Sequence, residues 1–285
     1  MNELRPVTTA LAAAAAGIFI LSQMPDAGTD WDSANWLGHY GLHQIWDGAW
    51  WGYLTAVFPH VGVLHLVFNL YWLWALGGEL ERRLGSVGFL GLAAATAFAA
   101  SGFEIALMGR TGVGLSGIGY GLFGYFWMRS RFDREFQLAP QIVQLFVIWG
   151  LLCIPADLTG LMPIANLAHG GGLVAGVAIA ASWHGRPVKW RLGGGALLVL
   201  VFAIATLPFH YLPWSAPWLR HEGLRLQVLE RNLDAIDLYT RALELEPDDP
   251  WTLHNRGVAY QDVGDHVRAA ADFARANELD PTIGR

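Results

Sequence analysis

Seven apolar runs, at about 7–24, 61–78, 87–108, 115–129, 139–156, 164–183 and 193–212, constrain what this chain can fold into. A helix crosses the hydrocarbon core of a bilayer in roughly 20 apolar residues. No water is available there to satisfy backbone N–H and C=O groups, so runs of this kind become helices. Only 15% of the 285 residues are charged, against about 25% in an ordinary soluble domain. The deficit lies in residues 1–220; from Arg220 onward the chain alternates polar and apolar residues as a soluble helix does. The expected fold is therefore all-α. Residues 1–190 form a polytopic membrane helix bundle of six spans, 191–220 a seventh span and linker, and 221–285 a small soluble helical domain. A net charge of −6 leaves no footprint for nucleic acid. A lone cysteine, Cys153, excludes a disulfide framework.

Basic residues orient the runs, because cytoplasmic loops are enriched in Lys and Arg. Arg82 and Arg83 follow the second run, Arg129, Arg131 and Arg134 the fourth, and Arg186, Lys189 and Arg191 the sixth. Arg5 precedes the first, and Arg110 is the exception on the opposite side. This pattern puts the N-terminus in the cytoplasm and everything after the seventh run outside. No small-x-small site follows near Met24-Pro25-Asp26, so the first run reads as a span, not a signal peptide. Trp31, Trp36, Trp46, Trp50 and Trp51 crowd the next segment. Tryptophan favours the membrane–water boundary, so this loop is expected to be partly immersed at the outer interface. The fourth run is short, which suits a helix enclosed by others.

The starts of the second, fourth and sixth runs face outside on this topology, and they carry His65, Asn69, Ser116 and His169. Acyl transfer needs a nucleophile, a base and donors for an oxyanion. Ser116 in Gly114-Leu115-Ser116-Gly117 opens a helix, where backbone N–H groups lack intrahelical acceptors. His169 in Ala168-His169-Gly170-Gly171-Gly172 is the candidate base. His65 and Asn69, four apart, share a helical face and can both donate. Gly117, Gly121 and Gly124 line one side of the fourth run, and Gly172 and Gly176 form a GxxxG on the sixth. Small residues at this spacing let helices approach closely and bring Ser116 and His169 together. Tyr120, one turn after Ser116, is placed to stack on the imidazole. Glu104 and Asp157 lie near run ends, and no acid is evidently placed to orient the histidine. The expectation is a Ser–His dyad.

A serine among glycines is commonly a packing residue, and a membrane histidine also serves proton paths or metals. His60, His65 and His169 are the available metal ligands, but no thiolate or nearby carboxylate completes a set. No metal or cofactor is expected.

These motifs resemble those of the rhomboid family of intramembrane serine proteases. The similarity is carried by His60-x4-His65-x3-Asn69, Gly114-x-Ser116-Gly117 with Tyr120, and Ala168-His169-x2-Gly172-x3-Gly176, with Glu79-x-Glu81-Arg82-Arg83-Leu84-Gly85 beside them. It covers roughly residues 45–185. The resemblance implies a nucleophile at Ser116 and a base at His169. It implies an oxyanion hole of the Ser116 N–H, His65 and Asn69. Tyr120, Asn166, His60, Gly114 and Gly117 take supporting places. It implies a serine endopeptidase that cuts transmembrane segments of other membrane proteins, near their outer ends, in a bacterial plasma membrane. One departure is plain: many members carry Trp-Arg before the second span, and here Gly52 follows Trp51. The alternative is a catalytically silent rhomboid-like binder or chaperone acting through its C-terminal segment.

That segment repeats with a period of 34. Gly223 pairs with Gly257, Ala235 with Ala269, Tyr239 with Phe273, Ala242 with Ala276, Leu245 with Leu279 and Pro247 with Pro281. Period and closing proline resemble tetratricopeptide repeats, in two copies, whose expected ligand is a protein partner.

Overall fold

The structure is a computed structural model that describes residues 5–23, 40–159, 164–183 and 187–283. Met24-Pro25-Asp26, Trp31, Trp36 and Arg186 lie outside the described residues. Every regular element among the described residues is helical. The chain forms two compact units, Met1–Phe209 and His210–Arg285.

In the first unit, α1 (Pro6–Ser22) opens on proline, whose missing N–H is no loss at a helix start. Two short helices follow, α2 (Leu42–Trp46) and α3 (Gly52–Thr55). The helix α4 (Val63–Trp72) passes through a π turn at Leu73–Gly77 into α5 (Gly78–Met108). Gly85, with φ of +71°, interrupts α5. The runs expected at 61–78 and 87–108 therefore lie on either side of that glycine. The polar stretch between them is helical, with Glu79 paired to Arg82 and Arg83.

Among the described residues, three helical stretches are long and apolar enough to cross a membrane: Val63–Met108, Pro140–Leu158 and Val188–Phe209. The second of these is α7 (Pro140–Leu158), which exposes Leu145, Val147, Ile148, Leu151, Leu152 and Ile154. In water such a surface would be a liability. The helix α6 (Ser116–Ser130) rises only roughly 22 Å over its 15 residues. It is enclosed along nearly its whole length from Gly117 to Arg129, so it need not match the bilayer thickness. The seventh run differs from expectation at both ends. Its helix, α9 (Val188–Thr206), begins at Val188 behind Pro187, taking in Lys189 and Arg191, and closes in a 3-10 turn at Leu207–Phe209. Backbone signals start and stop a helix, and polarity does not: Pro187 starts this one and Pro208, lacking an N–H, ends it.

The core of the first unit is α6 held between α5 and α8 (Asn166–Ala181). A Cβ on Gly172 would fall on the carbonyl oxygen of Gly117, and one on Gly176 on that of Gly121. On the other side a Cβ on Gly117 would meet the Ala100 methyl at 2.5 Å, and Gly121 lies against Thr96. The glycines thus let backbone meet backbone between α6 and α8.

Before α4, the chain is anchored by Tyr53 and Ile45, both fully buried with Ile105. Tyr53 packs on Phe98 and Phe209 at ring separations of 4.9 and 4.7 Å, and its carbonyl accepts from the Ser101 hydroxyl at 2.8 Å. Gly52 is buried, and a Cβ there would meet Ile45 and Tyr40 at 3.1 Å. Any side chain here would have to displace Ile45 or Tyr40, and aromatic packing holds this loop.

The second unit contains α10 (Ala216–Val228), α11 (Asn232–Leu245), α12 (Pro250–Asp262) and α13 (His266–Leu279). The helices of the second pair start 34 residues after those of the first. The ring of Tyr239 lies 2.8 Å from where a Gly223 Cβ would sit, and the ring of Phe273 lies 2.7 Å from that of Gly257. Ala235, Ala269, Ala242 and Ala276 are buried at the matching helix contacts. Arg256 grips Asp272 with two hydrogen bonds of 2.8 Å.

Candidate active site

Ser116 is the first residue of α6, and His169 lies in the first turn of α8. The Ser116 Oγ and His169 Nε2 are 2.8 Å apart. With the ring proton on Nδ1, the hydroxyl donates to Nε2, which is how a nucleophile faces its base. The Tyr120 ring stacks on the imidazole at 4.6 Å and 20°. Its hydroxyl reaches the Phe146 carbonyl on α7 at 3.4 Å. The imidazole is therefore fixed by a flat aromatic face. No hydrogen bond holds its Nδ1, which is buried without a partner among the described residues.

His65 and Asn69 come from α4, where the four-residue spacing keeps them on one face. Asn69 is buried, and its Nδ2 and the Nδ1 of His65 have no hydrogen-bond partner among the described residues. Buried polar groups are seldom left unmade, and those that are call for an explanation. Both side chains converge on Gly114. A Cβ there would lie 2.6 Å from the His65 ring and 3.4 Å from the Asn69 amide nitrogen. Gly114 also has φ of +103°, a conformation side chains resist. Glycine is required twice over at this position.

His60 lies before α4, not on it. Its Nδ1 sits 2.8 Å from the Phe58 carbonyl. A carbonyl only accepts, so Nδ1 carries the proton and Nε2 is left as an acceptor. That Nε2 receives the Leu115 N–H at 3.4 Å, while the Gly114 N–H donates to the Ala56 carbonyl at 3.1 Å. His60 thus ties down the turn that presents Ser116. Gly117 serves packing, as above. Asn166 opens α8, and its amide donates to α7, to the Cys153 carbonyl at 3.2 Å and Asp157 at 3.4 Å. Its described bonds secure the helix start and do not reach the His169 ring. No group of three His, Cys, Asp or Glu side chains among the described residues could hold a metal ion.

Two polar residues belong to no motif in the sequence: Glu104 lies near a run end and Arg110 is a stray positive charge. The Glu104 carboxylate is wholly buried and accepts from Arg110 Nε at 2.7 Å and from the Ala168 N–H at 3.1 Å. A carboxylate this deep in an apolar helix is itself a signal, since intramembrane charges are costly and paired.

A rhomboid-domain family model matches residues 47–186, and a tetratricopeptide-repeat model matches residues 229–264. Rhomboid protease GlpG of Serratia proteamaculans is 38% identical over 137 residues, 48% of this chain and 49% of that protein. Its namesake from Salmonella choleraesuis is 38% identical over 133 residues, 46% of this chain and 47% of that protein. The chain spans about half the length of the curated relatives it matches. The matched segment contains every residue of the site just described. With its long apolar helices, this is an integral membrane protein. Residues 47–186 are a rhomboid domain, followed in the same chain by a tetratricopeptide repeat.

Proposed function

We propose that this chain is an intramembrane serine endopeptidase that hydrolyses peptide bonds in transmembrane segments of other proteins. The observation that carries the reading is the 2.8 Å contact between Ser116 Oγ and His169 Nε2. Ser116 Oγ attacks the scissile carbonyl carbon and its proton passes to His169 Nε2. The carbonyl oxygen becomes an oxyanion, met by the Ser116 N–H, Asn69 Nδ2 and His65. The imidazolium then protonates the departing amine as the C–N bond breaks, leaving an acyl-enzyme. Water, deprotonated by His169, attacks that ester and releases the new carboxyl end. Removing one such oxyanion donor in a serine hydrolase costs about 10²–10³ in rate, so the unpartnered donors near Gly114 are a meaningful resource. Tyr120 holds the ring in line, and no metal or cofactor takes part.

A cavity of about 20 Å³ opens beside Ser116, walled by Ala56, Val57, Gly112, Ala165 and Ala168. Such a space holds about one water-sized group. It favours cleavage next to a small side chain.

On this reading seven spans cross the bilayer of a bacterial plasma membrane. The N-terminus is cytoplasmic, the site opens to the outer face, and the repeats stand outside, free to engage a protein partner. Residues 1–190 make the six-span catalytic part, 191–220 the last span and linker, and 221–285 the repeats. Labelling with a fluorophosphonate probe tests the chemistry directly. Wild type is expected to label at Ser116 and His169→Ala to stay dark. Equal labelling of both proteins would remove His169 as the base.

A further inference from the structure

We propose that Glu104 and Arg110 are positioning residues that set the separation of Ser116 and His169. The proposal rests on the reading of those two as the catalytic pair. The cap position of α8 is Ala165, which has no side chain able to cap the helix. The first N–H groups of a helix have no internal acceptors. Normally an N-cap Ser, Thr, Asp or Asn accepts from the second or third of them. Here the cap comes from another helix. Glu104 Oε2, from α5, accepts the N–H of Ala168, the third residue of α8 and the neighbour of His169, at 3.1 Å. A carboxylate at this end also complements the helix dipole.

Gly109, with φ of +62°, reverses the chain after α5 and brings Arg110 back over Glu104. Arg110 Nε donates to Glu104 Oε1 at 2.7 Å. Its Nη2 donates to Asp157 Oδ2 on α7 at 3.2 Å and to the Ile164 carbonyl, just before α8, at 3.1 Å. Arg110 also begins the short loop that ends at Ser116. Along that loop, a Cβ on Gly112 would meet the Ala165 methyl at 2.8 Å. One guanidinium therefore joins the strand of chain that delivers Ser116 to the turn that delivers His169. The imidazole has no hydrogen-bonded orienting acid on its Nδ1, so beyond the Tyr120 stack its place depends on its backbone, whose start this pair helps to hold.

The charges are unequal in exposure. Glu104 is fully buried, whereas the Arg110 side chain is 44% exposed. Removing the arginine strands a buried carboxylate. A glutamine at 104 keeps an oxygen for the Ala168 N–H and needs no counter-charge. The full chain, reconstituted in lipid, is compared as wild type, Glu104→Ala, Glu104→Gln, Arg110→Ala and the Arg110→Ala/Glu104→Gln double variant. Readouts are the rate of fluorophosphonate labelling at saturating probe, and kcat and KM for a co-reconstituted substrate. A 1 Å misplacement of reacting groups costs on the order of 10² in rate. Glu104→Ala and Arg110→Ala are expected to lose about 30–100-fold in labelling rate and kcat on that basis, with KM within about twofold. Glu104→Gln is expected to stay within about fivefold of wild type, whereas the double variant, relieved of the stranded carboxylate but still without the bridge, is expected to recover only about threefold over Arg110→Ala. Unchanged kcat in Glu104→Ala, loss confined to KM, or a double variant as active as Glu104→Gln, which would leave Arg110 a mere counter-charge, would overturn the positioning role. A wild type that does not label would instead sink the catalytic reading, and the two failures are distinguishable in one experiment.

Discussion

The two units differ in where several of their helix starts find a cap. In the repeats the caps are local: Ser215 accepts from the Trp218 N–H, Asp249 from that of Thr252 and Asp265 from that of Arg268, each three residues on. In the first unit the caps of α1 and α8 come from far along the chain. Glu81 accepts from the Val7 and Thr8 N–H groups at 2.9 and 2.8 Å, and Glu104 from that of Ala168 at 3.1 Å. Neither Arg5 nor Ala165, at the cap positions of those helices, supplies a side-chain bond. A helix end in water can fray and be solvated, so a local cap suffices. A helix end buried in an apolar bundle must be satisfied by its neighbours. Cutting a local cap should injure one helix, and cutting a distant one should injure the relation between two.

The largest effect belongs to the relation between α6 and α8. Ser116→Ala and His169→Ala should each abolish cleavage of a co-reconstituted substrate, by on the order of 10⁴ or more. The repeats should stay folded in both, read by hydrogen exchange of residues 216–279. Undiminished cleavage by Ser116→Ala protein would break the catalytic side of the comparison. Next comes Asn69→Ala, at about 10²–10³ in kcat, since other oxyanion donors remain. A change in KM alone would instead make Asn69 a packing residue.

The same contrast decides what could be read from the sequence. The 34-residue period made Gly223 equivalent to Gly257 and Tyr239 to Phe273, and the structure adds that each glycine lies against its ring, the same contact made twice. The Ser116 and His169 positions were legible through flanking glycines, and Tyr120 through its one-turn offset. Glu104 and Arg110 were not, since their ties to α7 and α8 cross 47 to 64 residues and leave no local pattern. Nor was the anchoring of the loop before α4: Tyr53 works through rings on α5 and at Phe209, again distant in sequence. The ends of α9 were misjudged because hydropathy marks the lipid boundary, whereas Pro187 and Pro208 mark the helix.

Glycine tests the comparison at intermediate strength. On Gly176 a methyl would meet the Gly121 carbonyl oxygen, a backbone atom that cannot turn away. On Gly223 it would meet the Tyr239 ring at 2.8 Å, a side chain that can shift. Gly176→Ala should therefore force α6 and α8 apart and lower kcat about 10²-fold. Gly223→Ala should cost about 1–3 kcal/mol in the repeats alone, as overpacking does, with cleavage near wild type. Parallel loss of cleavage in both would mean that the two units are coupled.

The smallest expected effect sits at a local cap. Asp249 accepts from the Thr252 N–H at 2.8 Å and also from the Thr252 hydroxyl. Pro250 already fixes the first residue of α12 in helical geometry and has no N–H to satisfy. Asp249→Ala thus removes one acceptor from a helix otherwise well started, and should cost about 1 kcal/mol. Hydrogen exchange should quicken at the first turn of α12, leaving residues 140–158 unchanged and cleavage unaltered. If protection is lost instead across all four helices from Ala216 to Leu279, the cap is holding the unit and not the turn. The repeats would then share the long-range logic of the rhomboid domain, and the difference between the two units would be one of degree.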